Sequence, residues 1–155
     1  MALSKIDGTN LITGLPAGSV VQAVTFTYST QESTSSTSFV ASSVTASITP
    51  SSSSNKVLVM VSGTQTTSNN LSHNVATIYR GSSTNLGDSN YGISYAYSGA
   101  GSTHSGISMN VLDSPSTTSA TSYTMYFRAT AAHSQTLQNG GAKSTIVLLE
   151  IAGWL

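Results

Sequence analysis

Apolar and hydroxyl-bearing residues alternate at a spacing of two along most of this chain. Between positions 20 and 28, Val24, Phe26 and Tyr28 face one way, and Thr25 and Thr27 face the other. Val44, Ala46 and Ile48 alternate with Thr45 and Ser47, and Ile107, Met109 and Val111 repeat the pattern. Tyr123, Met125 and Phe127 point inward against Thr124 and Tyr126. A period of two predicts half-buried strands. Two runs break it, Lys56–Val61 and Thr145–Ile151, because both of their faces are apolar. Such runs predict central strands covered on both sides, and the two are expected to be neighbours in the core. Val75–Arg80 and the segment holding Tyr91, Ile93, Tyr95 and Tyr97 add two more strands.

Polar clusters punctuate these segments. Residues 30–38 read as a loop or an edge strand, and residues 50–55, 63–72, 99–105 and 131–142 read as loops. The result is eight or nine short strands and no credible helix. That is an all-β protein, a β-sandwich, with a jelly roll as the favoured version. An immunoglobulin-like sandwich is the runner-up. It lacks support, since the chain has no cysteine pair and its one Trp lies at position 154 rather than in a middle strand. The chain divides into an N-terminal segment, 1–19, and a sandwich, 20–155. Gly and Pro break any period in the first segment, whose apolar residues Leu3, Ile6, Leu11, Ile12 and Leu15 are expected to dock on another subunit or a larger assembly.

Composition sharpens the picture. About a third of the 155 residues are Ser or Thr, and only 6% are charged. An average soluble domain is about a quarter charged. Solubility therefore rests on hydroxyls, with Thr suited to the wet face of a strand. The net charge is zero, with no basic cluster, so no nucleic-acid partner and no anionic membrane surface is expected. No apolar run approaches the ~20 residues that span a bilayer, so membrane insertion is not expected. The first residues lack a signal-peptide pattern, which predicts synthesis in a cytoplasm.

No catalytic constellation emerges. His73, His104 and His133 are isolated, read as lying in polar loops, and match no zinc spacing. Asp88 and Asp113 occupy turn positions, and no Gly-x-Ser-x-Gly elbow exists. The expectation is no enzyme, no catalytic residue, no metal and no cofactor. Binding remains open. The Ser-, Asn- and Gly-rich stretches 63–73, 99–105 and 131–142 are adaptable hydrogen-bonding surfaces suited to neutral, hydroxyl-rich sugars. Tyr91, Ile93, Tyr95 and Tyr97 share one face, which makes either half of a core or a subunit interface, where Tyr is enriched and charge depleted. The closing residues Trp154 and Leu155 are apolar as well. With Tyr91, Tyr95 and Tyr97 they are the expected interface residues of a homo-oligomer.

A resemblance covers nearly the whole chain. Gly18-Ser-Val-Val-Gln-Ala-Val, Ser33-Thr-Ser-Ser-Thr-Ser-Phe-Val and Ile48-Thr-Pro-Ser-Ser-Ser-Ser-Asn-Lys-Val-Leu-Val form one series. Thr77-Ile-Tyr-Arg-Gly, Thr84-Asn-Leu-Gly, Leu112-Asp-Ser-Pro and Tyr123-Thr-Met-Tyr-Phe-Arg continue it. Together they resemble a module of bacteriophage virion proteins, especially marine ones, described as tail-fibre or other structural proteins. Leu3-Ser-Lys-Ile-Asp-Gly-Thr-Asn-Leu is similar to segments that precede such fibre domains. These modules resemble trimeric C1q/TNF-like jelly rolls, which implies a homotrimer with its C-terminal strand near the axis. The chain departs from a long fibre in lacking a shaft or collagen-like repeat. The resemblance thus implies a small virion knob, on tail or capsid exterior, held to other virion proteins by residues 1–19 and adhering to a host-surface glycan. A capsid decoration or cement protein is the alternative.

Overall fold

The structure is a computed structural model, and it describes residues 15–68, 72–99, 101–130 and 133–153. Among these residues eleven strands make two antiparallel sheets: β1 (Val20–Tyr28), β2 (Glu32–Thr34), β3 (Val40–Ile48), β4 (Lys56–Thr67), β5 (Ser72–Arg80), β6 (Thr84–Asn85), β7 (Ser94–Ser98), β8 (Thr103–Asp113), β9 (Thr121–Arg128), β10 (Gln135–Leu137) and β11 (Ser144–Ile151). The first sheet runs β1-β11-β4, with β8 on the far side of β4 and the short β10 and β2 extending the β11 side. The second runs β3-β9-β5, with β6 and β7 both beside β5.

The pairing is nested. β1 pairs with β11, β3 with β9, β4 with β8 and β5 with β7, so each early strand meets a partner counted back from the far end. The two runs that are apolar on both faces become neighbours, as their composition predicts, through a ladder from Thr145↔Ser62 to Ile151↔Lys56.

The alternation fixes which side is buried. On the first sheet Val57, Val59, Val61, Ile107, Met109, Ile146 and Leu148 point inward. Ala46, Ile48, Ala76, Ile78, Tyr123, Met125 and Phe127 meet them from the second sheet. Apolar burial of this kind is the main stabilising term of a sandwich. Where β3 bulges between Ala41 and Thr45, Glu32 accepts hydrogen bonds from the Ser43 backbone N–H (3.0 Å) and hydroxyl (2.8 Å). That carboxylate replaces the ladder partners the bulge removes.

Four local expectations change. Residues 63–72 are not one loop: β4 runs on to Thr67 and β5 begins at Ser72. Residues 131–142 contain β10, whose Gln135 and Leu137 are buried. His73 lies in β5 and His104 in β8, leaving His133 outside the strands. Finally, among the described residues β4 and β11 are covered on one face only. Their second faces hold Leu58, Met60, Val147 and Leu149, all half-buried, because a two-layer sandwich has no third layer to place over them.

Candidate interaction surfaces

Two ends of the sandwich differ in chemistry, and the outer face of the first sheet shows it row by row. Ala23, Leu149, Leu58 and Leu112 lie side by side across four strands. The next row is Thr25, Val147, Met60 and Asn110, and the next Thr27, Thr145, Ser62 and Ser108. Farther along β4 come Thr64 beside Gly106, then Ser33, Thr136, Thr66 and His104. The face passes from apolar to hydroxyl along a single strand direction. Leu112 is 53% exposed at the apolar end. A shallow groove over Met60, Ser62, Asn110 and Val147 marks the transition.

The apolar end is where residues 15–19 enter. The Gly18 N–H donates to the Ala152 carbonyl (2.8 Å), and the Ala152 N–H donates to the Ser19 carbonyl (2.9 Å). Leu15 is half-buried there. Leu3, Ile6, Leu11 and Ile12 lie outside the described residues, as do Trp154 and Leu155.

Two carboxylates close this end from inside, in one row with Val57. Glu150 is fully buried. It accepts from the Ser51 N–H (2.7 Å) and hydroxyl (2.8 Å), and from the side-chain amides of Asn55 and Gln22. Burial pushes its pKa up, but the hydrogen bonds from Asn55, Gln22 and Ser51 outweigh that and hold it below the usual carboxylate range. Asp113 takes both of its oxygens to Arg80 (2.9 and 3.0 Å) and accepts from the Tyr123 hydroxyl (2.7 Å). Burial, then the Asp113 hydrogen bond, pushes the Tyr123 phenol far up, so it remains a donor. Asp113 is therefore an inter-sheet tie and not the plain turn residue its Asp-Ser-Pro setting suggests. Asp88 does behave as a turn residue: its carboxylate accepts the Tyr91 (2.7 Å) and Asn90 (2.8 Å) N–H groups, which lower its pKa.

The opposite end gathers all three stretches singled out as binding segments. Thr67 pairs with Thr103 on one side and Gln135 on the other. A cleft of about 300 Å³ opens there. Thr64 and Thr66 of β4 line it, with His104, Ser105 and Gly106 of β8 opposite. Asn139 and Ala142, from the connection between β10 and β11, close its side. The Thr66 hydroxyl and His104 Nδ1 share a hydrogen bond of 2.9 Å, which fixes the imidazole plane. Beneath lie buried amides in place of aliphatic side chains. Gln135 donates to Gln65 (2.9 Å) and accepts from the Val75 N–H (3.1 Å), and Gln138 donates to the Ser144 hydroxyl (2.9 Å).

The tyrosines form a third surface on the outer side of the second sheet. Tyr91, Tyr95 and Tyr97 are 60%, 43% and 53% exposed, so they are no half of a core. His73 stacks on Tyr95 with ring centroids 4.7 Å apart and lies 5.0 Å from Tyr97, and Tyr91 meets Tyr95 edge-on at 5.1 Å. Ile93 leaves the group and packs against the core, since the regular strand starts only at Ser94. The structure thus brings Tyr91, Tyr95 and Tyr97 together.

Among the described residues, no group of three or more His, Cys, Asp or Glu is placed to hold a metal ion. No described helix is long and apolar enough to cross a membrane. Comparison with protein-family models finds no match for this chain, and no curated protein matches its sequence. The fold itself is defined: an all-β chain of two antiparallel sheets packed as a sandwich.

Proposed function

We propose that the chain is a structural protein of a bacteriophage particle, a homotrimeric jelly-roll knob held to the virion by residues 1–19 and adhering to a glycan on the host surface. The observation that carries this reading is the polarity of the knob. The N-terminal segment joins it beside Ala152, at the Lys56 end of β4, and the hydroxyl-lined cleft lies at the Thr66 end. At ~3.3 Å per residue the two are about 30 Å apart. A module fixed at one end and presenting its binding residues at the other has the layout an adhesin needs.

The nested strand pairing supports the jelly-roll reading, in which early strands meet late ones across both sheets. The trimer rests on a different observation. Leu58, Met60, Leu112, Val147 and Leu149 form a contiguous apolar face that no part of the described chain covers. Large exposed apolar patches mark association sites. The tyrosine group at the β7 edge supplies aromatic surface of the kind enriched in interfaces. Packing the β7 edge of one copy on the apolar face of the next is a heterologous contact, and such a contact closes when three copies complete a ring. Three clefts then point the same way, so weak single-site binding becomes avid.

Native mass spectrometry and sedimentation test the trimer. The wild-type chain is expected to run as a trimer, and Leu149→Asp as a folded monomer, since a charge buried at a subunit contact is costly. A wild-type monomer at nanomolar dilution sinks the proposal. Removal of residues 1–19 is expected to leave a trimer that no longer joins particles. Capsid cement is favoured if the apolar face instead lies on a shell. Density for the protein at capsid symmetry axes, rather than at a tail tip, decides for that reading.

A further inference from the structure

We infer that the cleft at the Thr66 end of β4 is a binding site for one neutral hexose unit of a glycan, with Gly106 as the residue that creates the space. The inference rests on the adhesion reading and gives it a site. On the outer face of β8 the side chains that point outward are His104, Ser108, Asn110 and Leu112, and Gly106 interrupts them. Its absent side chain leaves a notch: a Cβ built at Gly106 meets nothing within 4 Å. Its φ is not in the left-handed region, so the backbone does not need glycine there. The opening accounts for the glycine.

The lining suits a single neutral sugar ring. A volume of about 300 Å³ is at the small end for ligand sites and suits a single ring. Thr64 offers a hydroxyl that both donates and accepts, and Asn139 offers an amide, while the Thr66 hydroxyl is shared with His104 and Ser105 lines the floor with its backbone, its hydroxyl turned inward to Asn74. Apart from His104, none of the lining residues is ionisable, which disfavours phosphates, sulfates and uronic acids. His104 is held by Thr66 through one ring nitrogen and is exposed, so its ring is pre-oriented before any ligand arrives. A fixed imidazole presents a flat face to the C–H side of a pyranose while hydroxyls meet its rim.

The test is saturation-transfer NMR on the intact full-length protein. The probes are glucose, galactose, mannose and N-acetylglucosamine at millimolar concentration, with glucuronic acid as the anionic counterpart. Transfer is expected to at least one neutral sugar and not to glucuronic acid. Gly106→Leu, which fills the notch, is expected to abolish it, and His104→Ala to abolish it independently. Ser82→Ala, in the exposed turn at the other end of the sandwich, is expected to preserve it. Absence of transfer to every neutral sugar overturns the inference. So does transfer that survives both Gly106→Leu and His104→Ala in variants whose melting temperature is unchanged. Labelled knobs on host cells separate this from the parent reading. If wild type and Gly106→Leu adhere equally, the cleft assignment fails and adhesion stands. If wild type binds sugar in the cleft but adheres to no cell, adhesion fails and the cleft stands.

Discussion

Glu150 shows how much one residue carries in a chain with so few charges. Its carboxylate collects the Ser51 loop, Asn55 and Gln22, and the Asn55 side-chain Oδ1 in turn accepts the Gly153 N–H at 2.9 Å. One side chain therefore ties the loop before β4 to both edges of the β1–β11 ladder. The folded pKa lies below the usual glutamate range, so this interaction contributes stability above the unfolded value of about 4.3. As pH falls from there through the folded value, the unfolded chain binds the extra proton first and the contribution is lost. Glu150→Gln is expected to cost about 1–3 kcal/mol at neutral pH, because an NH₂ group then faces donors. The gap between variant and wild type should narrow as pH drops below 4. Urea titrations across pH 3–7, a range set by the ordinary carboxylate values of about 4, measure it. A gap that stays constant contradicts the assignment.

At the scale of elements, the strands that alternate cleanly were legible because one face was apolar and the other hydroxyl. Val44, Ala46 and Ile48, or Tyr123, Met125 and Phe127, carry that signal and point inward as their spacing predicts. The far half of β4 was not legible. Gly63, Gln65, Thr66 and Thr67 look like a polar loop, yet Gln65 and Thr67 are buried, and Gln65 is satisfied by the Gln135 amide of β10 and the Ser94 hydroxyl of β7. Polar residues hide a strand when their partners lie some 70 positions away in sequence (Gln65 and Gln135 are 70 apart). The same blindness hid the cleft, since His104 and Thr66 become neighbours only through the β4–β8 register. The apolar face of β4 and β11 did leave a trace, in runs apolar on both sides, but which side the chain itself covers depends on layer count. Gly63 tests the element directly. A Cβ there would collide with the Ser144 side chain across the β4–β11 pair. Gly63→Ala is expected to destabilise by about 1–3 kcal/mol through overpacking, read as a lower denaturation midpoint. Gly63→Ala combined with Ser144→Ala should recover part of that loss.

For the whole molecule, the scarcity of charge has a measurable result. Arg80–Asp113 is the salt bridge identified among the described residues, and Asp113 is buried. Salt screens exposed pairs strongly and buried ones little. The melting temperature is therefore expected to change little between low and half-molar sodium chloride at pH 7. A fall of many degrees would show that surface ion pairs hold the sandwich after all. The association proposed through the Leu58–Leu149 face is expected to be similarly indifferent, since apolar burial rather than charge would drive it.

The nested strand order also sets when the molecule can form. β4, the middle of the first sheet, must wait for β11, which the ribosome delivers after every other described strand. Until then Val57, Val59 and Val61 lack their flanking partner on one side, while β1 lacks the one mate it has among the described strands. Contacts of such long sequence separation make folding slow. The nascent polypeptide thus passes through a sticky, half-zipped interval that ends when the final ladder snaps shut. High expression without chaperone supply should accordingly send this protein into inclusion bodies.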